Sequence, residues 1–113
     1  MLKIYHNPRC RKSRAGLDYL KSRTDEFEIV DYLRDGLSKV QIKEILLKMN
    51  AAATDIVRTQ EEVYKKELKG LNLTEDEWIR IIIENPKLLQ RPIIVSEHKA
   101  VLAQPPENVD ILL

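Results

Sequence analysis

The run His6-Asn7-Pro8-Arg9-Cys10-Arg11-Lys12-Ser13-Arg14 carries more potential chemistry than any other stretch of the chain. Cys10 is the single cysteine, and Arg9, Arg11, Lys12 and Arg14 all lie within four residues of it. A short apolar strand pattern stops at Asn7-Pro8, and a helical pattern begins at about Arg11. Cys10 therefore falls where a strand gives way to a helix. Unpaired N–H groups at a helix start stabilise a nearby anion, and so do neighbouring cations. Both effects favour thiolate, the nucleophilic form, over thiol. Comparable surroundings bring a cysteine pKa from about 8.5 into the range of roughly 3.5–7.5. A free cysteine is otherwise among the most buried residue types. The polar, cationic neighbours argue against that inert role.

The spacing narrows the chemistry further. Cys10 to Ser13 reads C-x-x-S, a two-thiol redox motif with a hydroxyl in the second place. Ser13 can donate a hydrogen bond to a thiolate, or cap the helix start, but it cannot resolve a disulfide. A phosphatase-type C-x5-R loop needs arginine at position 16, where Gly16 stands. No phosphate-binding glycine motif is present. One cysteine and two distant histidines argue against zinc, so no metal is expected. A lone thiol, once oxidised or substrate-bound, needs an outside thiol to free it: glutathione, glutaredoxin or thioredoxin. His6 could hydrogen-bond near the thiolate or donate a proton, or sit as a half-buried loop residue. His98 falls in a turn and is assigned no role.

The elements that must position Cys10 follow from periodicity. Leu2 to Tyr5 reads as a strand, Arg11 to about Ser22 as a helix, and Glu28 to Tyr32 as a strand ending at Asp35-Gly36. Leu17 and Leu20 share a helix face, with Ala15 and Gly16 offering close approach. Strand–helix–strand suggests a parallel βαβ unit. Ser38 with Gln41 and Thr74 with Glu77 are capping boxes, and Leu37 is a candidate staple. They open helices over about 38–49, with Ile42, Ile45, Leu46 and Met49 on one face, and 74–85, apolar at Trp78, Ile79 and Ile81 to Ile83. Asn50 and Pro86 close them, and 51–73 should hold one or two short helices. Ile93 to Val95, a turn at Ser96 to His98, and Lys99 to Ala103 form a hairpin. Pro105-Pro106 opens a final short helix. The sum is an α/β fold with a sheet of mixed direction.

Composition sets outer bounds. At 113 residues the chain is one domain's worth, and 43% hydrophobic with 33% charged residues fits a folded core. Nineteen Lys and Arg against 18 Asp and Glu leave a net charge of +1, which argues against nucleic acid as a partner. No run approaches the roughly 20 apolar residues of a membrane span, and Met1 to His6 does not read as a secretory leader. A cytoplasmic setting without membrane attachment is expected.

The chain resembles the glutaredoxin-coupled arsenate reductase family. Lys3 to Arg14 is similar to its strand–loop–helix pattern H-N-P-x-C-x-x-S-R. Ile56-Val57-Arg58, the run from Pro86 through Arg91-Pro92 to Val95, and Pro105 to Val109 match in the same order. The resemblance implies a thioredoxin-like, three-layer fold over residues 1–113. Its mixed four-stranded sheet would carry a helical insertion at about 37–90, between strands 2 and 3. It implies that Cys10 attacks arsenate to form a thioarsenate, that glutathione then reduces the arsenic, and that glutaredoxin clears the mixed disulfide. No bound cofactor is implied. Arg58 and Arg91 match two of three arginines that hold the oxyanion, a role suited to their planar, permanently charged forks. Their ordinary alternative is pairing with Glu61 or Glu84. His6, Arg11, Ser13 and Pro92 would support the thiolate. Pro92 matches a cis-proline facing the cysteine, against a general cis frequency of about 5–6%.

Gln104 departs from the pattern: it stands before Pro105, where the family's third arginine is expected. Losing a hydrogen bond to a charged group costs about 1.5–3 kcal/mol, or about 10- to 150-fold in binding. Arg11 stands where the family usually has a small residue; it could compensate or obstruct. The alternative activity is glutathione-dependent thiol–disulfide exchange on another electrophile. Some proteins of this fold are transcription regulators that sense oxidation through C-x-x-C, and Ser13 removes that two-thiol switch.

Overall fold

In the computed structural model, which describes Met1–Leu113, β1 (Leu2–His6) lies at the centre of a four-stranded sheet. The spatial order is β2-β1-β3-β4, with β2 at Phe27–Asp31, β3 at Ile93–Val95 and β4 at Ala100–Leu102. β1 runs parallel to β2, with Leu2 opposite Phe27 and His6 opposite Asp31. It runs antiparallel to β3, with Tyr5 opposite Ile93, and β3 pairs antiparallel with β4. The sheet is thus mixed, as the βαβ start and the later hairpin require. Between β3 and β4, Ser96 and Lys99 close the expected turn.

Helix α1 (Arg11–Arg23) follows β1. Its buried residues are Ser13, Gly16, Leu17 and Leu20, spaced i, i+3, i+4, i+7. Lys21 and Arg23 in the last turn suit the negative end of the helix dipole. Leu17 and Leu20 pack with Ile4, Ile94, Ala103 and Val109, while Leu2, Tyr19, Phe27, Val101 and Leu112 border that core. Val109 and Leu112 come from the last element, a 3-10 helix at Pro106–Leu112. It is tied to α1 by Asp110, which accepts from Tyr19 Oη at 2.7 Å and Arg23 Nη1 at 2.7 Å. By strand alternation Tyr5, Ile93 and Val95 face the other side of the sheet, and all three are buried.

Two details differ from the sequence expectation. Tyr32 does not end the second strand but opens a helical turn, α2 (Tyr32–Asp35), in which the Asp31 carboxylate accepts the Arg34 N–H at 3.3 Å. Ala15 is exposed, and Gly16 alone makes the close approach.

Contacts divide the chain into two compact units: Met1–Asp35 with Arg91–Leu113, described above, and Gly36–Gln90. The second is helical. α3 (Lys39–Met49) opens on the Ser38–Gln41 capping box and ends at Asn50, whose φ of 53° terminates the helix. α4 (Glu75–Glu84) opens on the Thr74–Glu77 box. Its Glu75 carboxylate accepts the Ala53 N–H at 3.0 Å, joining α4 to a 3-10 turn at Ala53–Ile56. A wide helical turn at Tyr64–Leu68 stacks Tyr64 on Trp78, centroids 6.4 Å apart. The stretch 51–73 thus holds two short helical pieces, and a third, Pro86–Leu88, follows α4. No helix is long and apolar enough to cross a membrane.

Candidate active site

The loop between β1 and α1 is organised by Asn7. Its side-chain oxygen accepts the Arg9 N–H at 2.9 Å and its carbonyl accepts the Cys10 N–H at 3.0 Å. Asn-Pro sequences favour such turns because the amide side chain imitates a backbone acceptor. Cys10 then takes an extended conformation and occupies the N-cap position of α1. Its carbonyl accepts the Arg14 N–H at 2.9 Å, the first bond of the helix. Cys10 is partly exposed.

Burial pushes the Cys10 thiol up, but three neighbouring groups together outweigh it. A hydrogen bond from the Arg91 guanidinium comes first, followed by the Ser13 amide, the Arg91 charge and the Lys12 amide. The Cys10 pKa is therefore lowered from its ordinary value. The Cys10 side chain makes no capping hydrogen bond itself; as a thiolate it has at hand the orphan amides of the first turn, the donors that an anion needs.

Arg91 is itself buried, 8% exposed. Its carbonyl accepts the Gln104 side-chain amide at 2.5 Å. The Gln104 carbonyl in turn accepts from Asn108 Nδ2 at 3.0 Å. Pro92 follows Arg91 through a cis peptide bond. Its carbonyl accepts the Ala103 N–H at 2.9 Å, and its ring lies against Gly16 so closely that a methyl group there would overlap it. Strand entry, helix and hairpin are thus locked together behind the sulfur.

Some of the expected contributors act differently from the sequence reading. Ser13 does not offer its hydroxyl to the thiolate, nor does it cap the helix. That hydroxyl accepts the Asn7 N–H at 2.9 Å and bonds His6 Nδ1 at 2.8 Å, and Ser13 favours the thiolate through its backbone amide instead. The physical reason is position: Ser13 sits in the first turn, on the buried face of α1, while Cys10 holds the cap. Arg11 is exposed and is not among the groups that lower the Cys10 pKa. A helix turns about 100° per residue, which carries the next side chain away from its cap. Arg14 bonds the Pro8 carbonyl at 3.0 Å.

His6 is buried, and its pKa is lowered. Burial is the largest cause and Asp31 opposes it, while the charges of Lys21 and Arg14 add to the lowering. A neutral imidazole bonded to Ser13 serves to hold the loop. Arg58 lies in the Gly36–Gln90 unit. There its Nε donates to Glu61 at 3.1 Å and its backbone N–H to the Leu88 carbonyl at 2.7 Å. No three His, Cys, Asp or Glu side chains are grouped as metal ligands.

The bracing role of Gln104 and the packing of Gly16 on Pro92 were not readable from the sequence. Asn7 was readable only as a strand stop.

Comparison with known proteins decides the family. The sequence profile of the ArsC family matches residues 5–112. The chain belongs to the ArsC family. Among similar proteins of the family, the arsenate reductase of Neisseria meningitidis serogroup A is 39% identical over 114 residues, covering 99% of this chain and 97% of that protein. The solved structure of the arsenate reductase from Vibrio cholerae superposes with a TM-score of 0.92 at 32% identity, covering 99% of this chain and 97% of the other. That of the putative arsenate reductase from Yersinia pestis gives 0.91 at 37%, covering 98% and 99%. The likeness is end to end, and the ArsC chain described here has their thioredoxin-like fold.

Proposed function

We propose that this chain is a thiol-dependent oxidoreductase that reduces arsenate to arsenite, with Cys10 as nucleophile and glutathione as co-substrate. The observation that carries this reading is the Cys10 sulfur, held toward thiolate by Arg91 and by the first-turn amides of α1. The names of the similar ArsC proteins supply the substrate.

The Cys10 thiolate attacks arsenic(V); an S–As bond forms and one arsenate oxygen leaves as water after protonation. A glutathione thiolate then attacks the Cys10 sulfur. The S–As electron pair passes to arsenic, which leaves as arsenic(III), and the two sulfurs become a mixed disulfide. Two thiols have lost the two electrons that arsenic gained. Glutaredoxin, or a second glutathione, exchanges with that disulfide and returns Cys10. Arg91 contributes fixed, charged donors toward the oxyanion as charge builds on its oxygens. Arg58 enters as a second oxyanion-binding arginine on the motif match alone. A reducing, cytoplasmic setting goes with this chemistry, because a single, partly exposed thiolate must stay reduced.

The test is arsenite production from arsenate and glutathione, with and without glutaredoxin. Saturable turnover that is absent in Cys10→Ser is expected; turnover indifferent to Cys10 overturns the proposal. Gln104 favours a second reading, glutathione-dependent exchange on another electrophile. A neutral amide spent on the Arg91 carbonyl cannot clamp an oxyanion as an arginine would. Rapid deglutathionylation by Cys10 without arsenate turnover, with arsenate turnover gained only in Gln104→Arg, supports that reading; Cys10-dependent arsenate turnover by the wild type supports the first.

A further inference from the structure

A cavity of about 290 Å³ opens beside the Cys10 loop, lined by Asn7, Pro8, Arg9, Asp31, Leu33 and Arg34. None of these residues takes part in the steps above. The cavity forms where the parallel strands β1 and β2 end side by side, with His6 opposite Asp31, and where their loops diverge. In open α/β sheets, the carboxyl ends of parallel strands are where ligands collect. Its chemistry is mixed. Arg9 and Arg34 are cationic, and Asp31 places a carboxylate in the same wall. Arg34 is oriented by Asp35, which takes its Nε at 2.9 Å and its Nη2 at 3.0 Å, leaving the Nη1 end of the fork for a ligand. Arg9 is held at its backbone by the Asn7 side chain.

Two cations with one carboxylate suit a ligand that carries both signs. A second inorganic oxyanion would meet repulsion from Asp31. An α-amino acid head offers a carboxylate for the guanidinium groups and an ammonium for Asp31. Cys10 is the residue after Arg9, so a thiol attached to that head by a short chain stays within reach of the sulfur. We infer that this cavity is the subsite for the zwitterionic γ-glutamyl head of glutathione. The assignment rests on the thiol chemistry proposed above and adds where the reductant is held. Its amino-acid end docks between Arg9, Arg34 and Asp31, while its sulfur faces Cys10.

The experiment uses S-methylglutathione, which has the head but no free thiol, titrated into the full chain by calorimetry and by amide chemical shifts. Saturable binding with shifts at Asn7, Arg9, Leu33 and Arg34 is expected. Affinity should fall by about 5- to 10-fold in Arg34→Ala and in Asp31→Asn, the loss of a charge-assisted contact at a partly exposed site. An S-methyl analogue lacking the α-amino group should bind the wild type as weakly as S-methylglutathione binds Asp31→Asn. Absence of binding, shifts elsewhere, or affinity indifferent to both variants overturns the inference. Arsenate turnover by the wild type is measured separately. Turnover without this binding sinks the subsite alone, and binding without turnover sinks only the arsenate reading.

Discussion

A cysteine flanked by four cations in sequence invites the view that those cations activate it. The structure redistributes that role. Arg11 is exposed, while Arg91, eighty-one positions away, hydrogen-bonds the sulfur. Local spacing points to the N-cap amides, because they belong to the residues that follow Cys10. It misassigned the cation, because only the fold brings β3 beside β1. The consequence can be measured by following the rate of Cys10 alkylation against pH. The midpoint in the wild type should lie below that of free cysteine. Arg91→Ala should move it upward, since burial then acts with less opposition, whereas Arg11→Ala should leave it near the wild-type value. A shift in Arg11→Ala and none in Arg91→Ala would reverse the assignment.

The elements that hold the site differ in how legible they were. Capping boxes at Ser38 and Thr74 were plain in sequence because both partners lie within one turn. The βαβ start and the hairpin were plain for the same reason: short connections and clear turn residues. Tyr32 was misplaced because an aromatic residue after an apolar run reads as strand, while its burial in a helical turn is a tertiary outcome. The contact between α1 and the Arg91-Pro92 strand entry lies beyond any local pattern, and Gly16 is where it can be tested. In an isolated helix, Gly→Ala would stabilise by about 1 kcal/mol. Here the added methyl meets the Pro92 ring and lies 3.5 Å from the Ala103 side chain. Overpacking costs about 1–3 kcal/mol. Gly16→Ala should therefore be less stable than the wild type in urea unfolding, by up to about 2 kcal/mol after the propensity gain is subtracted. An unchanged or raised midpoint would mean that helix and strand entry do not approach this closely.

At the scale of the molecule, a net charge of +1 hides a site where two groups, His6 and Cys10, have their pKa lowered by the fold. His6 prefers its neutral form when folded, its pKa lowered from 6.5 chiefly by burial. In the window below 6.5, the unfolded chain binds the proton more readily than the native one. Stability from His6 is thus complete above that value and is lost as pH falls toward the folded pKa. Cys10 is also lowered, from 9.0, in spite of burial, by Arg91 and the first-turn amides. Between its folded pKa and 9.0 the native state has already released a proton that the unfolded state keeps. Stability from Cys10 therefore rises with pH through that window and levels off above it. Both slopes have the same sign, so the wild type should gain resistance to urea as pH increases from about 5 to about 9. His6→Asn, which keeps an amide acceptor or donor near Ser13, should flatten the lower part of that rise. Cys10→Ser should flatten the upper part and leave the lower one in place. Urea midpoints for the three proteins across this range make the check. A wild-type curve that falls toward pH 9, or a Cys10→Ser curve parallel to it throughout, would mean that the sulfur is not held as an anion by the folded chain.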